Sequence, residues 1–318
     1  MTESLEARLE AVAHQLGTLA TRDAPLGART TYRVGGRAAV AAEPKDEGDL
    51  LAVAAALADH DVPVLVVGRG SNMLVSDRGF AGVAVFVGES FSELEVRDTV
   101  LVAGGGVSLP VAARRSAAAG LTGFEWAVGI PGSVGGAVRM NAGGHGADIA
   151  ATLVRARVVA LDRREAGWRS VEELELGYRT SNLGACDVVV RAEVRCRPGD
   201  RAAAEERIAE IVRWRRENQP GGQNAGSVFT NPPGDQAGRL IDEAGLKGTR
   251  VGTAEVSPKH ANFIQADEGG SADDVKALMD RVRTEVATRA GVELHTEIRL
   301  IGFDDTYPFA MRAGERRG

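Results

Sequence analysis

Cysteine is almost absent from this chain of 318 residues: only Cys186 and Cys196 occur, at the two ends of one apolar run. Two thiols cannot build a disulfide framework, and the reading is a reduced protein of the cytoplasm. The five histidines are scattered with no pair at ligating spacing, so no metal site is expected. Aromatic residues make up 4% of the chain, poor material for an aromatic-rich interface. Positive charge is in deficit, with Lys+Arg 38 against Asp+Glu 44 and a net charge of −6. Such a balance argues against a surface that collects phosphate backbones, and no nucleic-acid partner is expected. No apolar run approaches the ~18 residues of a membrane span. The opening MTESLEARLE is charged where an export signal would be apolar. Neither a membrane span nor an obligate protein partner is inferred.

The chain does have length and glycine, with 40 glycines in all. At about 100–200 residues per domain it is long enough for roughly two domains. Leu5, Leu9, Val12 and Leu16 recur at helical spacing and predict an amphipathic first helix ended by Gly17, placed as a lid or brace. Residues 49–60 read as an Ala/Leu helix, 62–67 as a buried strand, and 83–87 and 100–103 as short strands. Ser108 and Pro110 open an alanine-rich helix that ends at Gly120. Strands are expected at 153–161 and 187–196, the second alternating Val188, Val190, Ala192 and Val194 against charged residues. Pro198-Gly199, ahead of the charged helix RAAAEERIAEIVRWRREN, marks the expected domain boundary. Beyond it, strands are expected at 250–256 and 261–265, then a helix from Ser271 with the stripe Val275, Leu278, Met279, Val282 and Val286, ended by Gly291. The segment VELHTEIRLIG reads as a last alternating strand with Glu297 on its polar side.

Two glycine loops stand out. GRGSN places Gly68, Arg69, Gly70, Ser71 and Asn72 directly after a buried strand, where bare backbone N–H groups and a hydroxyl suit an anion. It is not a nucleotide-hydrolase phosphate loop, since no Gly-Lys-Ser/Thr follows, and Met73 stands where the dinucleotide fingerprint needs a glycine. A plain tight turn explains this segment about as well. The longer run GIPGSVGGAVRMNAGGHG holds Gly129, Ile130, Pro131, Gly132, Ser133, Gly136 and Asn141. Its interspersed apolar residues favour backbone wrapped around a ligand over a mobile loop.

Seven blocks in order, GRGSN, GIPGSVGGAVRMNAG, GYRTS, GSVFTNP, AGRLIDEAGLKG, SPKHANFI and ELHTEIRLIG, resemble the UDP-N-acetylenolpyruvoylglucosamine reductases (MurB) over residues 27–303. No tyrosine-bearing insertion is evident, so the resemblance is to the shorter type II form. It implies an α+β fold: an FAD-binding domain of the vanillyl-alcohol-oxidase (PCMH) type in two subdomains, plus a smaller C-terminal α+β substrate domain. The expected partition is 1–26 for the first helix and lead-in, 27–197 for the FAD domain, 198–303 for the substrate domain and 304–318 for a disordered basic tail. The implied activity is NADPH-dependent, FAD-mediated reduction of UDP-N-acetylglucosamine enolpyruvate to UDP-N-acetylmuramate, a step of peptidoglycan precursor synthesis.

The resemblance also assigns residues. GRGSN and GIPGS would hold the FAD pyrophosphate, with Gly136 and Asn141 nearby. Ser227 aligns with the proton donor, Arg179 with the arginine that faces the substrate carboxylate, and Glu297 with the carboxylate near the reacting carbon. Asn231 and Lys259 align with contacts to UDP or substrate oxygens. The chain departs from the pattern at Thr230, where GSVFKNP commonly has lysine, and at His145, where a tyrosine is usual. The competing readings are a flavin oxidoreductase of the same fold with another substrate, and a catalytically silent UDP-sugar-binding flavoprotein.

Overall fold

A computed structural model describes residues 3–303; the expected tail lies outside the described residues. The first sheet has the order Ala20–Pro25, Arg37–Ala42, Phe80–Phe86, Val64–Val67, with the first pair antiparallel and the other two parallel. Parallel central strands must be covered on their faces, and these are continuous Val/Ala runs with little polar interruption. Helix Glu47–His60, capped by Asp46 accepting from the Asp49 N–H at 2.9 Å, lies on one face. Helix Leu5–Leu16 stacks beside it through Leu9, Val12 and Leu16, acting as the brace. Because Ala20–Pro25 is the edge strand of this sheet, the lead-in at 1–26 is structurally part of the first domain.

The second sheet is antiparallel, in the order Glu165–Ser170, Leu153–Ala160, Asp187–Arg195, Val100–Gly104, Leu94–Arg97. The alternation expected along 187–196 does not run its full length. The ladder goes from Arg157–Arg191 to Val158–Val189 and skips Val190. This bulge switches faces, so Val188 and Val190 meet the helix Glu47–His60 layer while Val189, Ala192 and Val194 meet the cluster behind the sheet. That second cluster is covered by helices Leu109–Ala118, Val134–Met140 and Arg201–Asn218.

The boundary expected at Pro198-Gly199 places helix Arg201–Asn218 in the substrate domain. Its sparse apolar stripe, Ala204, Ile208 and Ile211, instead packs into the first domain's core. The reason is spacing: three apolar residues at i, i+4 and i+7 give one face, and that face packs against helix Leu109–Ala118 and the turn Glu125–Gly129. The C-terminal unit begins after this helix. Its small sheet joins Arg250–Val251, Ala254–Val256 and Ile264–Ala266, so the strand expected at 250–256 is a hairpin turned at Gly252, φ 51°. Helix Ala272–Ala290 buries the whole expected stripe and ends at Gly291, φ 66°.

The last segment departs most from its sequence pattern. Only Arg299–Ile301 is a strand, and it pairs in parallel with Met73–Val75, which follows the GRGSN loop. Residues 292–298 are irregular; Leu294 and Ile298 anchor them in the second core. Backbone bonds from Glu297 N–H to Val228 O, 2.8 Å, and from Thr230 N–H to His295 O, 2.9 Å, tie them to the GSVFTNP loop.

Candidate active site

The two glycine loops abut. A Cβ at Gly68 would lie 2.5 Å from Ser133 Oγ and one at Gly132 3.4 Å from Ser71 Oγ. Gly70 adopts φ +61°, and a Cβ there would lie 2.7 Å from the Thr30 Cα, so a side chain would both strain and clash. Ser133 caps helix Val134–Met140, its Oγ accepting from Gly136 N–H at 3.2 Å. Together the loops form one wall of a cavity of about 600 Å³, within the usual range of ligand sites. Gly68, Arg69, Gly70, Ser71, Asn72, Gly129, Ile130, Pro131, Gly132, Ser133 and Gly136 all line it.

Ser227, Arg179 and Glu297 line the same cavity. Arg179 Nε donates to Glu297 Oε1 at 2.8 Å, joining residues 118 positions apart, and its Nη2 donates to Gly143 O at 3.0 Å. Arg179 sits at φ 56° in a turn closed between Gly177 and Thr180, a conformation unusual for a branched-free but bulky side chain. Such backbone costs about 1–3 kcal/mol and persists when the surroundings hold it, as they do here through Asn141 Nδ2 donating to Gly177 O at 2.9 Å. Glu297 accepts from the arginine, yet burial raises its pKa above the ordinary glutamate value, outweighing Arg179's opposing pull. The backbone bond from Glu297 to Val228 brings the carboxyl beside the Ser227 loop.

Three expected residues are not on the wall. Asn141 is buried and serves the loop that carries Arg179; besides Gly177 O it bonds Asp148 Oδ2 at 3.2 Å and accepts from Ala150 N–H. Asn231 is exposed, its Oδ1 accepting from Ala237 N–H at the start of helix Ala237–Glu243. Lys259, also exposed, donates from Nζ to Arg216 O near the end of helix Arg201–Asn218.

The wall also holds Arg139, Trp214, Arg215 and Arg299, which the sequence reading did not single out. Arg139 and Arg299 lie inside quoted blocks, which was the available signal; Trp214 and Arg215 close a charged helix and read as solvent-facing. Of the two departures, Thr230 donates to His295 O at 3.2 Å and is not on the wall. His145 is, edge-on to Trp214 with centroids 5.1 Å apart, and burial followed by Arg207 and Arg215 lowers its pKa. Five arginines, Arg69, Arg139, Arg179, Arg215 and Arg299, face a single carboxylate across the wall. Glycine backbone against Ser133 and Ser71, with this excess of cations, fits the diphosphate and flat ring of FAD.

Comparison with known proteins agrees with this geometry. Residues 218–301 match the family described as UDP-N-acetylenolpyruvoylglucosamine reductase, C-terminal domain, and residues 38–162 match an FAD binding domain. The UDP-N-acetylenolpyruvoylglucosamine reductase of Heliobacterium modesticaldum is 44% identical over 87% of this chain and 89% of its own length. That of Acidiphilium cryptum is 46% identical over 88% and 90%. The crystal structure of the MurB enzyme from Thermus caldophilus superimposes with a TM-score of 0.77 at 36% identity, covering 87% of this chain and 97% of that one. On the strength of its matched domains and of relatives above 40% identity over most of its length, the chain belongs to the UDP-N-acetylenolpyruvoylglucosamine reductase family.

Proposed function

We propose that Arg179, Glu297 and Ser227 carry the reduction of the enolpyruvyl ether of UDP-N-acetylglucosamine to the lactyl ether of UDP-N-acetylmuramate. The observation that carries the assignment is the Arg179–Glu297 pair, 2.8 Å apart on the cavity wall that also bears Ser227 and both glycine loops. Bound FAD supplies the two-electron relay that takes hydride from NADPH to the methylene carbon of the enolpyruvyl group. The neighbouring carbon then carries negative charge shared with the carboxylate, and it must gain a proton. Arg179, permanently ionised and held by two acceptors, faces that charge without reorganising. Glu297 accepts from Arg179 Nε and fixes the guanidinium plane, while burial shifts its own pKa upward. Ser227 Oγ–H delivers the proton to the carbon as charge builds, in a cavity that limits competing water. Gly226, at φ 78°, lets the loop turn so that Ser227 reaches the wall.

In this reading the enzyme serves peptidoglycan precursor synthesis in the cytoplasm. Among the described residues no helix is long and apolar enough to cross a membrane. Burial pushes the Cys186 and Cys196 thiols up to about 11, and neither lines the cavity.

The test is a half-reaction experiment. Anaerobic NADPH bleaches the flavin absorbance, and adding the UDP-sugar enolpyruvyl ether restores it promptly. Ser227→Ala bleaches at the parent rate but recovers about 10²–10⁴-fold more slowly, the usual worth of a positioned proton donor. Recovery at the parent rate in that variant removes Ser227 from the mechanism; a parent protein that the ether cannot reoxidise removes the substrate assignment.

A further inference from the structure

Asn141 is 4% exposed and does not line the cavity, yet both polar atoms of its amide are engaged. Nδ2 donates to Gly177 O at 2.9 Å and to Asp148 Oδ2 at 3.2 Å, while Oδ1 accepts from Ala150 N–H at 2.9 Å. These partners fix which way the amide faces. Turned over, it would set its oxygen against two oxygens and its NH₂ against an N–H. Asp148, whose other oxygen accepts from Ala151 N–H at 3.1 Å, therefore helps to aim the Asn141 donor at Gly177.

Gly177 opens the turn that carries Arg179 and pairs across it with Thr180, N–H to O at 3.1 Å one way and 3.3 Å the other. Just past the turn, Ser181 Oγ donates to Arg139 O at 2.7 Å. Residues 139 and 141 are the last turn and the C-cap of helix Val134–Met140, so the Arg179 turn is tied on both sides to one helix end. The same helix starts after Ser133, in the GIPGS loop on the cavity wall. It is roughly 10 Å long and works as a strut that spaces the cofactor loop from the arginine. Arg179 has φ 56°, a conformation that an arginine does not adopt unaided, so its guanidinium stays where these ties hold it.

The backbone of Asn141 has a simpler duty. At φ 37° it caps the helix, its N–H directed to Ala137 O and Val138 O. Glycine meets that need with less strain. The three side-chain bonds go beyond what the cap requires.

We infer that Asn141 is a positioning residue for the reduction of the enolpyruvyl ether, acting through Gly177 O to fix the Arg179 turn relative to the cofactor loop. The inference rests on the role proposed for Arg179 above. It distinguishes the two half-reactions, because the ether's developing charge needs the guanidinium in place, whereas flavin reduction by NADPH makes no use of it in the reaction as derived.

Stopped-flow absorbance of the FAD-loaded protein follows both half-reactions in Asn141→Gly and Asn141→Asp. The first keeps the cap and deletes the amide; the second keeps the shape and replaces the donor with an acceptor. Both are expected to retain FAD and to bleach with NADPH at the parent rate. Reoxidation by the ether is expected to slow about 10–10²-fold, the scale of a displaced catalytic group. Combining Asn141→Asp with Asp148→Asn restores a donor between these two side chains but leaves Gly177 O without one. That double variant is expected to recover thermal stability and not the rate. Ser181→Ala, at a half-buried position, cuts the turn's other tie and is expected to slow the same half-reaction, which keeps the test open if the Asn141 variants fail to fold. Asn141→Gly with parent reoxidation overturns the inference, since the cap alone is then the residue's task. Equal slowing of both half-reactions, or a rate that returns with stability in the double variant, overturns it in favour of a general structural role. A parent protein that the ether cannot reoxidise is a separate outcome and overturns the substrate reading itself.

Discussion

At the scale of single residues, the candidate chemistry depends on a carboxyl whose charge is costly. Glu297 has 17% of its side chain exposed and a raised pKa, so the folded chain binds its proton more tightly than the unfolded chain does. Stability from this group is present below the ordinary glutamate value of about 4.3 and falls as pH rises through the higher folded value. Glu297→Gln therefore gains on the parent in chemical denaturation as pH climbs through that window, and a pH-independent difference would refute the linkage. Tyr32 makes the opposite kind of case. It is fully buried, its hydroxyl has no hydrogen-bond partner among the described residues, and burial raises its pKa. Tyr32→Phe should stabilise the fold by up to about 1–3 kcal/mol, read as a rise in the denaturant midpoint. Neither property was legible beforehand. Arg179, Glu297 and Ser227 each look like ordinary surface or turn residues in isolation, and only the blocks around them carried the assignment. Arg215 stayed hidden because an arginine near the end of a charged helix reads as solvated until the cavity beside it is known.

At the scale of elements, caps and stripes were readable while register and irregular backbone were not. The helix from Ser271 to Gly291 was legible because its signals are local: a capping hydroxyl, acidic residues in the first turn, one apolar stripe and a terminal glycine. Segment 292–298 was misread because its alternating pattern is satisfied by two anchors, Leu294 and Ile298, without any ladder. The bulge at Val190 was invisible because skipping one valine in a run of three leaves the composition unchanged. Among the contacts between the two units is a helix cap. Asp77 accepts from the Ala272 and Asp273 N–H groups at 3.0 and 3.2 Å and from Ser271 Oγ, so the first domain supplies part of the cap on helix Ala272–Ala290. Asp77→Ala should cost about 0.5–2 kcal/mol, the usual worth of a cap, visible as a lower thermal midpoint. No change in stability would mean that Ser271 alone, which accepts from Asp274 N–H, satisfies the helix end.

At the scale of the whole molecule, the core of the second unit takes in Tyr32, Val34 and Leu74 of the first, and the two units share one cavity. Helix Arg201–Asn218, packed on the first core, carries Trp214 and Arg215 to the wall, while the second unit presents Ser227 and Glu297 from the other side. The two-domain α+β arrangement was legible from the ordered blocks. Its seam was not, because proline and glycine mark a turn without saying which core the following helix will join. The seam is closed by the parallel pairing of Arg299–Ile301 with Met73–Val75.

That pairing also imposes an order in time. During synthesis the glycine loops emerge early, yet Asn72 meets its Glu297 partner 225 residues later, on the order of ten seconds or more at about 5–20 residues per second. A nascent chain can therefore assemble the loops that grip a dinucleotide well before it owns the arginine–glutamate pair. On the proposed roles of Arg179, Glu297 and Ser227, the polypeptide acquires reactivity toward the sugar nucleotide only after its cofactor loops have formed.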